Sequence, residues 1–232
     1  MYFSPYGIDP TYFIFIAPAL LLGLWAQARL RGTFSRYARV PTSSGVNGQT
    51  AAQVLIQQER LHIGVRGTPG VLSDFYNPAN KTINLSQTSG QNSIASVAVV
   101  AHELGHAVQD QQGYTPMRLR AAIVPGVQVG AWVGPIMFFV GLMLRNPNFI
   151  WAGIFGFALA AIFAVVTLPV EFNASRRGLA MLQSSGILSQ QEIPAAKKVL
   201  DAAALTYVAA AAQAVLTVLY YVSLVGGFRR RS

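Results

Sequence analysis

Three residues in the segment AHELGHAVQ have the types and spacing to hold a metal and move a proton: His102, Glu103 and His106. On an α-helix, positions four apart lie on one face, so both imidazoles can reach one ion from adjacent turns. Zn²⁺ suits this pair, because it accepts neutral imidazole nitrogen and imposes little geometry of its own. Glu103 follows the first histidine, where its carboxylate can take a proton from water at the metal without ligating it. The turns before His102 are small and apolar, from Ala95 to Ala101, as in a helix buried in a core. Gly105 leaves room for close approach at the metal. An HExxH pattern is short enough to arise by chance, so its weight depends on a third ligand.

A catalytic zinc takes three protein ligands and keeps one position open. The chain has no cysteine and three histidines, and His62 reads as a packed or solvated residue near a helix end. A carboxylate is therefore the economical choice. Beside Glu103 the acids are Asp9, Glu59, Asp74, Asp110, Glu171, Glu192 and Asp201. Glu171 stands out because it directly follows an apolar run (AVVTLPVEFNASRR), where a charge is costly unless paired or liganded. Pairing with Arg176 or Arg177, five or six positions on, is not favoured by helical spacing. His102, His106 and Glu171 around one zinc per chain is the expectation.

The elements that carry these residues are unusual for an enzyme. Of 232 residues, 53% are hydrophobic and only 11% charged, against about 25% charged in a soluble domain. With mean hydropathy +0.41, a soluble enzyme and a disordered chain are both excluded. A net charge of +9 invites a nucleic-acid reading, but the basic residues are scattered, and no nucleic-acid partner is expected. Spanning a bilayer takes ~20 mainly apolar residues. Four stretches qualify: Tyr12 to Ala28, with Tyr2, Phe3 and Tyr6 upstream, then Ala121 to Leu144, Phe149 to Val170, and Ala203 to Gly227. Arg145-Asn146-Pro147-Asn148 is a tight polar turn that makes the middle two a hairpin. The first stretch lacks a basic region before it and reads as a retained anchor rather than a cleaved signal.

Orientation follows from the basic residues. Segments 29–120 and 171–202 hold 13 of the 17 Lys and Arg, which puts both in the cytoplasm; the terminal FRRRS tail dissents. Within 29–120, Gly48 to Leu61 is an imperfect amphipathic helix. Asn77-Pro78-Ala79-Asn80 is a turn between strand-like VLSDFY and KTINLS. Asn92 or Ser93 caps the helix that carries the histidines, and Gly113 stops it. Ser189 to Glu192 has capping-box spacing and opens a helix into the last span. The expected organisation is an anchor (1–28), a cytoplasmic α+β domain (29–120), a transmembrane hairpin (121–170), a cytoplasmic segment with the third ligand (171–202) and a final span with a basic tail (203–232).

AHELGHAVQ, LPVEFNASRRGL after a membrane hairpin, VLDAAALTYVAAA and SDFYNPANKTINLS together resemble the YugP-type neutral zinc metallopeptidase family, gluzincin-like peptidases of bacterial membranes. The resemblance runs nearly the whole chain and is most specific in the metal helix, EFNASRR and AAALTYVAAA. The pattern often reads SDHYDP and EFDAS. Phe75, Asn77 and Asn173 depart from it, removing auxiliary contacts while leaving both histidines, Glu103 and Glu171 in place. The resemblance implies a mainly α integral membrane protein with about four transmembrane helices and a small zincin-like catalytic domain. It also implies His102, His106 and Glu171 as zinc ligands and Glu103 as general base.

The function expected is a zinc metalloendopeptidase of the bacterial cytoplasmic membrane, cutting proteins or peptides near the membrane surface. Arg176 or Arg177 is the candidate oxyanion stabiliser, with Asn173 beside the ligands. The strand Thr82, Ile83, Asn84 and Leu85 is expected to bind extended substrate by edge addition. The alternative is a non-catalytic membrane scaffold that retains the metal site, against which an intact Glu103 counts. A transporter is disfavoured, because the spans hold little that is polar apart from Gln128 and Gln213.

Overall fold

The computed structural model describes residues 10–229, with the side chains of residues 13–226. Tyr2, Phe3, Tyr6, Asp9 and residues 230–232 lie outside the described residues. The chain is mainly helical. In order, it forms α1 (Pro10–Tyr37), α2 (Gly48–Gln58), β1 (Gly64–Gly67), β2 (Phe75–Asn77), β3 (Thr82–Leu85), a 3-10 turn (Gln87–Gly90), α3 (Ile94–Gln111), α4 (Thr115–Met143), α5 (Pro147–Ser185) and α6 (Ile193–Arg229). Four helices are long and apolar enough to cross a membrane, over Phe13–Tyr37, Thr115–Met143, Pro147–Ser185 and Ile193–Gly226. The chain divides into two compact units, one of residues 1–26, 119–168 and 206–232, the other of residues 27–118 and 169–205.

The first unit holds the apolar parts of the long helices. Leu144 and Arg145 end α4, Arg145 taking a left-handed φ of 47°. Asn146 Oδ1 accepts from the Asn148 N–H at 3.0 Å, a cap that suits Pro147 at the first helical position. The two arms then approach closely at small residues. A Cβ on Gly153 would lie 2.6 Å from the Phe138 nitrogen, and one on Gly156 would lie 2.8 Å from the Gly134 Cα, the packing that glycine permits between apolar helices. Phe138 and Phe157 both pack on Tyr221, ring centroids 4.5 and 4.6 Å apart. Large apolar side chains such as Trp132, Phe139 and Met143 face outward, a surface matched to hydrocarbon.

The second unit is built on a three-stranded sheet of order β1-β3-β2. β1 runs parallel to β3, Val65 opposite Ile83, and β2 runs antiparallel to it, Tyr76 opposite Ile83. The β2–β3 turn is made locally: Asn77 Oδ1 accepts from the Ala79 N–H at 2.9 Å, and Lys81 adopts a φ of 51°. This order corrects one expectation. Thr82, Ile83, Asn84 and Leu85 form the central strand, its hydrogen-bonding groups taken up on both sides, so no peptide can add there. The edges belong to β1 and β2.

Against the sheet and α2 packs α3, whose Ala95, Val97, Ala98, Val100, Ala101 and Leu104 are fully buried. Ser93 caps it, accepting from the Ser96 N–H at 3.2 Å. Asn92 instead accepts from the Thr42 N–H and hydroxyl at 3.0 and 2.8 Å. Beyond Gln111 the chain turns at Gly113 with φ +63°, a conformation glycine adopts without strain. Glu192 closes the start of α6, accepting from the Ser189 N–H and hydroxyl and from the Ser43 N–H and hydroxyl.

Candidate metal centre

The site lies within the second unit, where α3 and α5 cross. Two glycines set the crossing distance. A Cβ on Gly105 would collide with the Ala174 carbonyl oxygen, and one on Gly178 would lie 2.8 Å from the Ala101 oxygen. The room left by Gly105 is taken by the α5 backbone, so the close approach expected there is that of the helix carrying Glu171. Backbone contact brings Glu171 to the histidine face of α3. Glu171 Oε2 lies 3.2 Å from His102 Nε2 and 3.5 Å from His106 Nε2. The imidazoles meet edge to face, with centroids 4.8 Å apart at 84°.

The ligand atoms of His102, His106 and Glu171 lie within 4.8 Å of one another. Glu171 and His106 are buried and His102 nearly so. Two imidazole nitrogens and one carboxylate oxygen, converging in a buried place, are a donor set of the kind Zn²⁺ accepts. The residues fit the ion on chemistry and on separation.

Beside them, Glu103 Oε2 accepts from the Tyr76 N–H at 2.9 Å. Burial pushes the Glu103 carboxyl above the usual range, against the pull of the two imidazoles and the Tyr76 N–H. The Tyr76 phenol in turn donates to Asp110 at 2.6 Å. Burial, then the Asp110 hydrogen bond and charge, raises that phenol well above its ordinary value.

Outer partners hold the ligands. His102 Nδ1 meets the Ser175 hydroxyl at 3.0 Å, one helical turn beyond Glu171. His106 Nδ1 meets Gln109 Oε1 at 3.0 Å. Asn173 accepts from Gln109 and from Arg177 Nε, at 3.0 and 2.6 Å. Arg177 also donates to Gln112 at 2.6 Å and lies over the Tyr114 ring, while Arg176 is exposed. Arg177 is thus spent on bracing α5 against α3. Ser175 and Gln109 were not singled out by sequence reasoning. The available signal was positional: Ser175 at i+4 from Glu171, Gln109 at i+3 from His106.

Of the other acids, Asp74 accepts from the Ser86 N–H and hydroxyl, Asp110 serves Tyr76 and Lys81, Glu59 meets Gln58 and Asp201 pairs with Lys197. His62 is exposed, following α2. Among the described residues, the one carboxylate that meets both histidines is Glu171.

Residues 12–226 match the family described as "Putative neutral zinc metallopeptidase". The chain belongs to that family. It is similar to the "Putative membrane protease YugP" of Bacillus subtilis (strain 168), with 39% identity over 215 residues that cover 91% of this chain and 96% of the relative. No solved structure matches the chain.

Proposed function

We propose that this chain is a membrane-embedded zinc metalloendopeptidase that hydrolyses peptide bonds in membrane-associated proteins or peptides. The observation that carries the reading is the convergence of His102, His106 and Glu171 with Glu103 on the adjoining position of the same helix. His102, His106 and Glu171 hold one zinc. When bound, the ion supplies Lewis acidity, which polarises a carbonyl and makes nearby water easier to deprotonate. Glu103, raised by burial, accepts that proton and passes it to the departing amine. The third ligand from a separate helix makes the site gluzincin-like, and the small domain zincin-like.

Substrate recognition belongs to β2 rather than β3. Among the described residues, β2 pairs with one neighbour only, and its Tyr76 N–H faces Glu103. An extended peptide lying along that edge, where the Tyr76 N–H is already held by Glu103, is placed beside the base through the strand's remaining backbone groups, with little side-chain selectivity. The bias of basic residues supports a cytoplasmic position for the polar segments in a bacterial cytoplasmic membrane. Four apolar helices support the membrane assignment.

The test uses full-length protein purified in detergent with an unfolded membrane protein as substrate. Glu103→Gln is expected to bind one zinc per chain yet cleave at least ~10²-fold more slowly, the usual contribution of a positioned base. Full cleavage by that variant sinks the proposal.

A further inference from the structure

Gln109 is fully buried one turn beyond His106, and the hydrogen bonds around it can be read in only one direction. Gln109 Nε2 lies 2.8 Å from the Val170 carbonyl oxygen. A carbonyl cannot donate, so the Gln109 atom facing it must be the NH₂ group. The same nitrogen lies 3.0 Å from Asn173 Oδ1. That oxygen's identity is fixed by Arg177, whose Nε lies 2.6 Å away and can only donate. Both hydrogens of the Gln109 amide are then committed, and its Oε1 is left as an acceptor facing His106 Nδ1 at 3.0 Å.

We propose that Gln109 is a positioning residue that holds neutral His106 in the Nδ1–H form, leaving Nε2 bare for a metal. Asn173 and Arg177 set the direction of the chain. The inference rests on the zinc reading above and adds what keeps one ligand ready. It also separates the two histidines. The Ser175 hydroxyl beside His102 Nδ1 can donate or accept, so it imposes no tautomer. The Gln109 amide, pinned from the far side, does. With Nε2 bare at 3.5 Å from Glu171 Oε2, the nitrogen and the carboxylate converge as two ligand atoms for one ion.

Two measurements on full-length protein in detergent test this. Nitrogen NMR of ¹⁵N-histidine-labelled, zinc-free protein, taken to alkaline pH until the nitrogen shifts themselves report a neutral ring, is expected to show the His106 proton on Nδ1. A proton on Nε2 overturns the proposal without any substitution. Zinc titration against a competing chelator is expected to show Gln109→Leu weakened roughly 10–100-fold, as loss of an outer partner usually does. Gln190→Leu, at an exposed glutamine outside the site, should bind zinc as the parent does. Unchanged affinity in a folded Gln109→Leu protein, or an equal loss in Gln190→Leu, overturns it. Failure of the parent to bind zinc counts against the proposed function instead, and the tautomer then decides the Gln109 assignment by itself.

Discussion

The backbone N–H of Tyr76 donates to Glu103 Oε2 at 2.9 Å, so the strand at the sheet edge and the proposed base are tied by a bond that, among replacements at position 76, only proline removes. The strand is itself pinned. The Tyr76 hydroxyl donates to Asp110 on α3 at 2.6 Å, and Lys81, in the turn leading to β3, pairs with the same carboxylate. One helix therefore carries the two histidines, the base and the acid that anchors the strand beside them.

Removing Glu171 tests the ligand set. Glu171→Ala is expected to lower zinc affinity by more than the roughly 10–100-fold typical of an outer partner. Asp110→Asn, whose carboxylate serves Tyr76 and Lys81, is expected to leave zinc affinity near the parent. Equal affinities for parent and Glu171→Ala, by competition with a chromophoric chelator, would remove Glu171 from the site.

Adding one methyl group at the helix crossing tests the architecture. Glycine to alanine inside a helix ordinarily stabilises by about 0.5–1 kcal/mol. At Gly105 the new Cβ overlaps the Ala174 carbonyl oxygen, and backbone cannot step aside as a side chain can. Overpacking of this kind costs about 1–3 kcal/mol, which outweighs the helix gain. Gly105→Ala should lower both the melting temperature and the zinc affinity. Gly23→Ala, with nothing within 4 Å of its added Cβ, should lower neither. A Gly105→Ala protein as stable and as tight for zinc as the parent contradicts the crossing.

A pH-dependent contribution is expected from Glu192. Partial burial works against its ionisation, but the donors from Ser189 and Ser43 prevail and hold its carboxyl below the usual range. A depressed folded-state pKa contributes stability above the unfolded value and loses it as pH falls through the folded one. The parent should therefore melt higher than Glu192→Gln near neutrality, and the gap should close below about pH 4, where a free glutamate takes up its proton. The effect is small, because the group is only partly buried and water screens it. A gap that widens on acidification refutes the assignment.

Much of the centre was legible because acids are scarce. With eight in the chain, the one set directly after an apolar run had few rivals, and Glu171 meets both histidines. The cap was legible to within one residue, Asn92 or Ser93, because either side chain before an apolar helical run can accept from a free backbone N–H; the structure gives the place to Ser93. The strand order was not. β1, reading Gly-Val-Arg-Gly, is exposed along its whole length and so lacks the alternation that reports a strand with one buried face. Which neighbour β3 takes on each side depends on chain reversal across the sheet, and Thr-Ile-Asn-Leu carries no record of it. Gln109 was illegible for another reason: a glutamine near a helix end is ordinary, and its meaning comes from the Val170 carbonyl and Asn173 of a helix 61 and 64 residues away.

The contact of Gly105 with Ala174, and of Gly178 with Ala101, has a consequence for how an ion meets this protein. Where two helices touch main chain to main chain, no rotamer stands between them to absorb a displacement, and the offset of one axis along the other is fixed to the accuracy of the backbone itself. The carboxylate and the imidazoles are then assembled before anything binds. An arriving cation orders few torsions, so it gives up little of its attraction to conformational entropy.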